Sequence, residues 1–274
     1  GQSSNDVFPS AVHLAALDEL VNDLRPALET LAASLERKAV EFDDVVKSGR
    51  THMMDAVPVT LGQELGGYAA QVRQGIARID DALPRLGQIP LGGTATGTGL
   101  NTHPEFASRV RALLTEQTGL TISAPADPFE AQGARDALVE TSGALKVVAV
   151  SLTKIASDLR LMGSGPRAGL AEIHLPELQK GSSIMPGKVN PVIPEVVNQV
   201  AFEVVGSDIT VTMAAEAGQL QLNAFEPIIA LALFRSLTHL RAAIDTLAER
   251  CIVGITANVV APGLMDTPIG RAAS

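Results

Sequence analysis

Gly-Ser-Ser-Ile-Met-Pro-Gly-Lys-Val-Asn-Pro, residues 181–191, is the most informative part of the sequence. Its two glycines and two prolines interrupt any regular helix, so the segment is predicted to be a loop between helical stretches. Small hydroxyl groups, a lysine and an asparagine lie in this same short loop. Because binding and catalytic groups concentrate on loops that a rigid scaffold positions, the segment is the first candidate for a functional site.

Long helical patterns dominate the rest of the chain. Leucines at steps of three and four residues place one apolar face along residues 10–47, and Pro26 inside this run predicts a kink or a break. Further helices are predicted at 60–86, 104–117, 129–161, 193–217 and 222–255. Helices this long and apolar indicate an all-α fold, a long-helix bundle that buries apolar faces against other copies of the chain.

Composition excludes several classes of protein. The 274 residues carry a net charge of -9, which argues against nucleic-acid binding because such binders need basic surfaces. The single cysteine, Cys251, excludes a disulfide framework and suits a reducing compartment. No basic region precedes an apolar run at the start, and no uninterrupted apolar run reaches the ~20 residues of a membrane span. We therefore expect a cytoplasmic protein without nucleic-acid or membrane partners.

Three polar segments interrupt the helices, and together they resemble the signature regions of a known superfamily. They are Gly1–Asp6, Ser48–Pro58 with its Gly-Arg-Thr-His and Asp-Ala-Val-Pro strings, and Gly181–Pro191, which matches the pattern GSSxMPxKxNP. In this order they resemble the fumarase/aspartase superfamily. The resemblance implies that residues 1–257 form the central helical domain of that fold, truncated at both ends. Residues 258–274 look atypical for it and are more similar to a Pro-Gly segment of short-chain dehydrogenases, although the Gly-rich fingerprint of that class is absent.

The resemblance implies a lyase that removes a proton next to a carboxylate and stabilises the doubly negative aci-carboxylate that results. Fixed cations and N–H donors aimed at the growing charge contribute most to the rate enhancement in such catalysis. The family pattern assigns Ser182 as the carbon base, His52 as the opposing acid/base with Glu195 as its partner, and Lys188 as the cation. It assigns substrate hydrogen bonds to Ser3, Ser4, Asn5, Thr51, Ser183 and Asn190.

Structural roles remain open for several of these residues. Serine and asparagine near a helix start are common caps, and a glutamate after Pro194 suits the first turn of a helix. The remaining histidines, His13, His103, His174 and His239, have no cysteine or glutamate at metal-ligand spacing, so we expect no metal and no cofactor. The Gly92–Gly99 run lacks the ending of a phosphate-binding loop, and the resemblance implies that it is a structural turn.

Two members of the superfamily compete for the assignment. Residues 1–165, with Phe129–Glu140, resemble class II fumarate hydratase, whereas residues from about 165 to 258, with Glu216–Asn223, resemble aspartate ammonia-lyase. We expect reversible hydration of fumarate to L-malate; the alternatives are deamination of L-aspartate and an inactive oligomerisation fragment. The expected partners are a small dicarboxylate and three further copies of the chain. Active sites would be shared in such a homotetramer, because Ser3, His52 and Ser182 lie near the ends of different long helices.

Overall fold

The fold is described by a computed structural model that covers residues 2–178, 181, 184–185 and 187–258. Long helices follow one another along the chain, and the all-α prediction is confirmed. The helices are α1 (Ser4–Asp18), α2 (Arg25–Glu41), α3 (Leu61–Leu86), α4 (Phe106–Thr118), α5 (Pro128–Gly133), α6 (Asp136–Met162), α7 (Val192–Glu216) and α8 (Glu226–Arg250). The short strands are β1 (Val46–Thr51), β2 (Met54–Thr60), β3 (Ile173–His174) and β4 (Thr256–Ala257).

The predicted kink near Pro26 takes the form of a change in helix type. The segment Glu19–Leu24 between α1 and α2 is π-helical, and α-helical bonding resumes at Arg25. Pro26 has no backbone N–H, so it cannot donate the bond that an uninterrupted α-helix would need there. The apolar face continues through the change, because Leu17, Leu20 and Leu24 are all buried.

The helix predicted over 129–161 is two helices, α5 and α6, separated by Ala134 and Arg135. The backbone of Ala134 is extended, and the Arg135 side chain is fully buried. Its guanidinium donates to the backbone oxygens of Ala131 and Gln132, which lie in α5. The interruption therefore provides carbonyl oxygens for a buried cation, a need that helical periodicity does not reveal.

The chain divides into two compact units. Unit 1 contains Gly1–Pro26, Gly75–Val150 and Val200–Arg241, and unit 2 contains Ala27–Gln74, Ser151–Gln199 and Ala242–Ser274. Helices α3, α6, α7 and α8 each contribute residues to both units. The single domain predicted for residues 1–257 stays a prediction, and residues 259–274 of the predicted tail lie outside the described part of the chain.

Unit 2 contains a feature that the sequence analysis did not predict. The polar segment Ser48–Pro58 interrupts the helices as predicted, but it does so as an antiparallel hairpin of β1 and β2. Thr60 and Gln63 then begin α3 with a reciprocal cap, in which each side chain accepts a bond from the other residue's backbone N–H at 3.0 Å. The end of β2 is thereby attached to a long helix.

Within the described chain, Glu226–Gly254 is the one helical stretch long and apolar enough to cross a membrane, judged by length and composition only. The same test is passed by core helices of soluble folds, and 44% of this window is buried. Arg235 within it forms an ion pair with Glu203 at 3.0 Å. Charges with protein partners in the middle of the helix favour its interpretation as a core helix.

Candidate functional site

The hairpin of unit 2 presents His52 at its tip. Thr51 pairs with Met54, so His52 and Met53 form a two-residue turn, and both have positive φ angles, 52° and 64°. Such turns favour asparagine and glycine, because a side chain makes the left-handed region costly. Strained backbone of this kind persists only where surrounding structure holds it, and it occurs often at functional sites. His52 is exposed there.

The β1–β2 ladder contains a bulge just before the tip. Between the pairs Ser48–Pro58 and Arg50–Asp55, β1 has one residue and β2 has two. Gly49 is the single residue on β1, and a side chain there would place its Cβ 2.7 Å from the backbone oxygen of Val57. Because real Cβ atoms do not approach an oxygen so closely, glycine is required where the two strands pack most tightly.

Four predicted site residues of unit 2 are exposed, and their side chains make no structural bonds to the described residues. Among the described residues, no hydrogen bond or ion pair partner is found for the side chains of Thr51, His52, Lys188 and Asn190. Polar side chains without structural roles are available to bind a ligand. Ser182 and Ser183, the predicted base and its neighbour, lie outside the described residues.

Glu195 lies in the first turn of α7, the position in which an acidic residue stabilises a helix N-terminus. Its carboxylate is 3.6 Å from the guanidinium of Arg160. No hydrogen bond or ion pair joins it to His52, although both residues are described. The predicted pairing of His52 with Glu195 is therefore not made within one chain.

Two of the predicted site residues of unit 1, Ser3 and Asn5, form structural hydrogen bonds, unlike those of unit 2 described above. Ser3 caps α1, with its hydroxyl accepting the Asn5 N–H at 3.2 Å. Asn5 is buried, and its amide donates to the backbone oxygens of Ala95 and Gln221 at 2.7 and 2.6 Å. Ser4 is exposed. Substrate binding by these three residues stays a prediction, and for Ser3 and Asn5 a structural role is already visible.

Asp6 is a structural residue that the sequence analysis missed. Its carboxylate is fully buried and accepts the backbone N–H of Ser3, Gly92 and Thr94 at 2.8, 3.1 and 2.9 Å. The spacing Ser3-x-x-Asp6 resembles a capping box and could have indicated its first bond. The other two bonds hold the Gly92–Gly99 run, which forms a turn as predicted, with positive φ at Gly92, Gly97 and Gly99.

A cavity of about 500 Å³ lies in unit 1, next to His13 and Arg135, and contains none of the predicted site residues. Its arginines are already neutralised: Arg85 pairs with Glu140, and the buried Arg135 pairs with Glu226. Burial lowers the pKa of His13 to about 4, so its ring is neutral near pH 7, with Nδ1 2.9 Å from the backbone oxygen of Leu86. We therefore locate the candidate site at the hairpin and not in this cavity.

Comparisons with known proteins agree on a single family. The family model named Lyase_1, described as "Lyase", matches residues 1–206. A class II fumarate hydratase of Corynebacterium efficiens is 57% identical over 94% of the chain, and an aspartate ammonia-lyase of Helicobacter pylori is 51% identical over 94%. The crystal structure of a class II fumarase from Schistosoma mansoni superposes with a TM-score of 0.92 at 38% identity, over 94% of this chain and 57% of that one.

The chain spans about half the length of these curated relatives, 55% in both cases. The matched region includes the hairpin and α1, and for the curated relatives it extends over nearly all of the described chain. The resemblance that the polar segments indicated is thus confirmed. The chain belongs to the Lyase_1 family, within the fumarase/aspartase superfamily.

Proposed function

We propose that this chain contributes to a lyase that hydrates fumarate reversibly to L-malate. The observation that carries the proposal is His52, an exposed titratable side chain held in strained backbone at a hairpin tip without a structural partner among the described residues. An imidazole ring can both donate and accept a proton, so one in a fixed position without other bonds suits general acid/base catalysis. The family membership and the similarity to class II fumarate hydratases support this assignment.

In the proposed mechanism, Ser182 takes the proton from the carbon next to one carboxylate of malate. The electron pair moves into that carboxylate, and Lys188 and Asn190 stabilise the aci-carboxylate. His52 then protonates the leaving hydroxyl group, which departs as water, and fumarate remains. Interactions that strengthen as charge develops lower the barrier, whereas those equal in both states do not.

We further propose that several copies of the chain complete each site, in a homotetramer. His52 and Glu195 do not meet within one chain, so their predicted pairing requires a neighbour. Unit 1 also has an exposed apolar stripe on α7, where Phe202, Ile209 and Met213 are 62%, 57% and 61% exposed. Residues seven and four apart share one helix face, and exposed apolar stripes of this kind mark association surfaces. Light scattering should therefore show a tetramer; a stable folded monomer at micromolar concentration would exclude this arrangement.

We also propose a cytoplasmic location. The single cysteine supports it: Cys251 is buried, and burial raises the pKa of its thiol to about 12. A thiol protected in this way remains reduced and unreactive, as suits a reducing compartment. Fractionation of cells that produce the protein checks this expectation.

A direct assay tests the activity. The purified chain is mixed with fumarate, with and without ammonia, and the loss of the fumarate absorbance and the identity of the product are followed. We expect malate to form without ammonia. Faster formation of aspartate with ammonia would assign the chain to the aspartate ammonia-lyases, the alternative that the Helicobacter pylori relative favours. If neither mixture shows turnover, the remaining alternative is that the chain is an inactive oligomerisation fragment.

A further inference from the structure

A two-stranded hairpin needs support from elsewhere in unit 2. Isolated two-stranded hairpins are marginally stable, and this one also has two left-handed residues at its tip, each of which costs about 1–3 kcal/mol. The contacts that hold the hairpin therefore determine where His52 lies. They must act on β1 close to the tip, because the cap at Thr60 fixes only the far end of β2.

The carboxylate of Glu172 makes that connection. Oε2 lies 2.7 Å from Nζ of Lys47, and Oε1 accepts a hydrogen bond of 2.6 Å from Nη1 of Arg50. Lys47 and Arg50 are three residues apart on β1, and in a regular strand they would point to opposite faces. The ladder is irregular between Ser48 and Arg50, with the extra residue on β2, and the long side chains of Lys47 and Arg50 both reach one carboxylate.

The backbone of Glu172 is itself fixed on both sides. Its N–H donates to the backbone oxygen of Met162 at 2.9 Å, and its own backbone oxygen accepts the N–H of Asn258 at 2.9 Å. Ile173, the next residue, pairs with Ala257 in the β3–β4 ladder. Glu172 is thus a rigid attachment point, and it lies in the segment that leads from α6 to the Gly181–Pro191 region.

The charged side chains of Lys47, Arg50 and Glu172 are mostly shielded from water. The side chain of Lys47 is 8% exposed and also pairs with Glu64 of α3, while those of Glu172 and Arg50 are 14% and 22% exposed. The two cations face three carboxylates, because Arg50 also lies 3.8 Å from the exposed carboxylate of Asp55. Ion pairs that are shielded from water and carry further hydrogen bonds hold their side chains in a more fixed geometry than ion pairs at the surface do.

We propose that Glu172 is a positioning residue, which holds the hairpin so that His52 reaches the substrate in the productive geometry. The proposal rests on the proposed function. Glu172 acts through Lys47 and Arg50 and does not touch the reacting atoms. Because a displacement of about 1 Å at a reacting group can lower a rate about 10²-fold, a loosened hairpin affects turnover more than binding.

The test compares Glu172→Gln with Glu177→Gln, an exposed glutamate in the same segment that lies outside the ion-pair set. Glutamine keeps the size of Glu172 but removes the charge that both cations share. We expect kcat of Glu172→Gln to fall roughly 10- to 100-fold with a much smaller change in KM. We expect amide hydrogen exchange to accelerate in residues 46–60 and not in the long helices.

The exchange measurement separates the two proposals. If the unaltered protein does not hydrate fumarate, the proposed function fails, yet faster exchange in residues 46–60 of Glu172→Gln still supports the role of Glu172 in holding the hairpin. If Glu172→Gln matches Glu177→Gln in both kcat and exchange, the role of Glu172 is refuted.

A second variant applies if Glu172→Gln does not fold. Arg50→Met removes the Glu172 contact nearest the tip together with the 3.8 Å ion pair to Asp55, while Lys47 keeps its bonds to Glu172 and Glu64. Where the first variant folds, the double variant of Arg50→Met with Glu172→Gln should lose less kcat than the two single losses combined, because both changes break the Arg50–Glu172 contact. Unaltered kcat and exchange in Arg50→Met would overturn the proposal.

Discussion

Helix α1 in unit 1 and the β1–β2 hairpin in unit 2 both carry residues of the family's signature regions, yet they use them in opposite ways. In α1, the buried Asp6 accepts three backbone N–H groups, and Asn5 donates to two backbone oxygens. In the hairpin, His52 is exposed, and its side chain has no partner among the described residues.

The difference shows that a signature motif mixes two kinds of residue. Some of its polar groups satisfy buried backbone groups, and their loss affects stability. Others are held in place by neighbours while their own side chains stay free, and their loss affects chemistry. The contacts of each side chain, and not its position in the motif, separate the two. Single substitutions can test to which of these two kinds a residue belongs.

The largest expected effect is on turnover, from Lys188→Met. Lys188 is exposed and makes no structural side-chain contact with the described residues, so we expect its replacement to leave the urea midpoint unchanged. Removal of one electrostatic partner of the developing charge should lower kcat about 10²–10³-fold and not merely raise KM. Steady-state kinetics on fumarate checks this. A rise in KM alone would show that Lys188 only binds the substrate.

Asp6→Asn should produce the opposite pattern. The carboxylate accepts three backbone N–H groups through both of its oxygens, and an amide has only one oxygen, so at least one of these donors would lose its acceptor. We expect the free energy of unfolding to fall by about 3 kcal/mol, as measured in urea. The folded fraction should retain its kcat. If the variant instead keeps its full stability and has a low kcat, Asp6 takes part in catalysis and not in holding the fold.

His13 gives a smaller, pH-dependent effect. Its folded-state pKa of about 4 lies below the ordinary value of 6.5, mainly because burial disfavours the charged ring. Between these two pH values the unfolded chain binds a proton that the folded chain does not, so stability is complete above pH 6.5 and is lost as the pH falls towards 4. The loss should reach about 2 kcal/mol at about pH 5.

The control for this effect is His13→Asn, whose amide can still donate to the backbone oxygen of Leu86 but cannot titrate. Urea unfolding of both proteins between about pH 7 and pH 5 isolates the contribution of the histidine. The difference in stability between them should shrink as the pH falls. A constant difference would mean that His13 keeps its ordinary pKa and that water reaches the ring from the cavity.

The sequence predicted the helices well because their apolar periodicity is strong. The bounds of α3 and α7 agree with the prediction to within one residue. It missed the hairpin because its turn residues, His52 and Met53, are not the asparagine and glycine that signal such a turn. It missed the break at Arg135 because the buried ion pair depends on Glu226, far along the chain. Glu172 was missed for the same reason: its role comes from contacts with residues more than 120 positions away in sequence, as for Arg50 at a separation of 122.

The central claim is that the chemistry depends on free side chains that different copies of the chain bring together. Co-production of two inactive variants, His52→Asn and Ser182→Ala, tests it most directly. If each site takes these two residues from different copies, random assembly gives roughly a quarter of the sites both native residues, and fumarate hydration returns to about that level. If each site lies within one chain, every site lacks one residue, and the mixture stays as inactive as either variant alone.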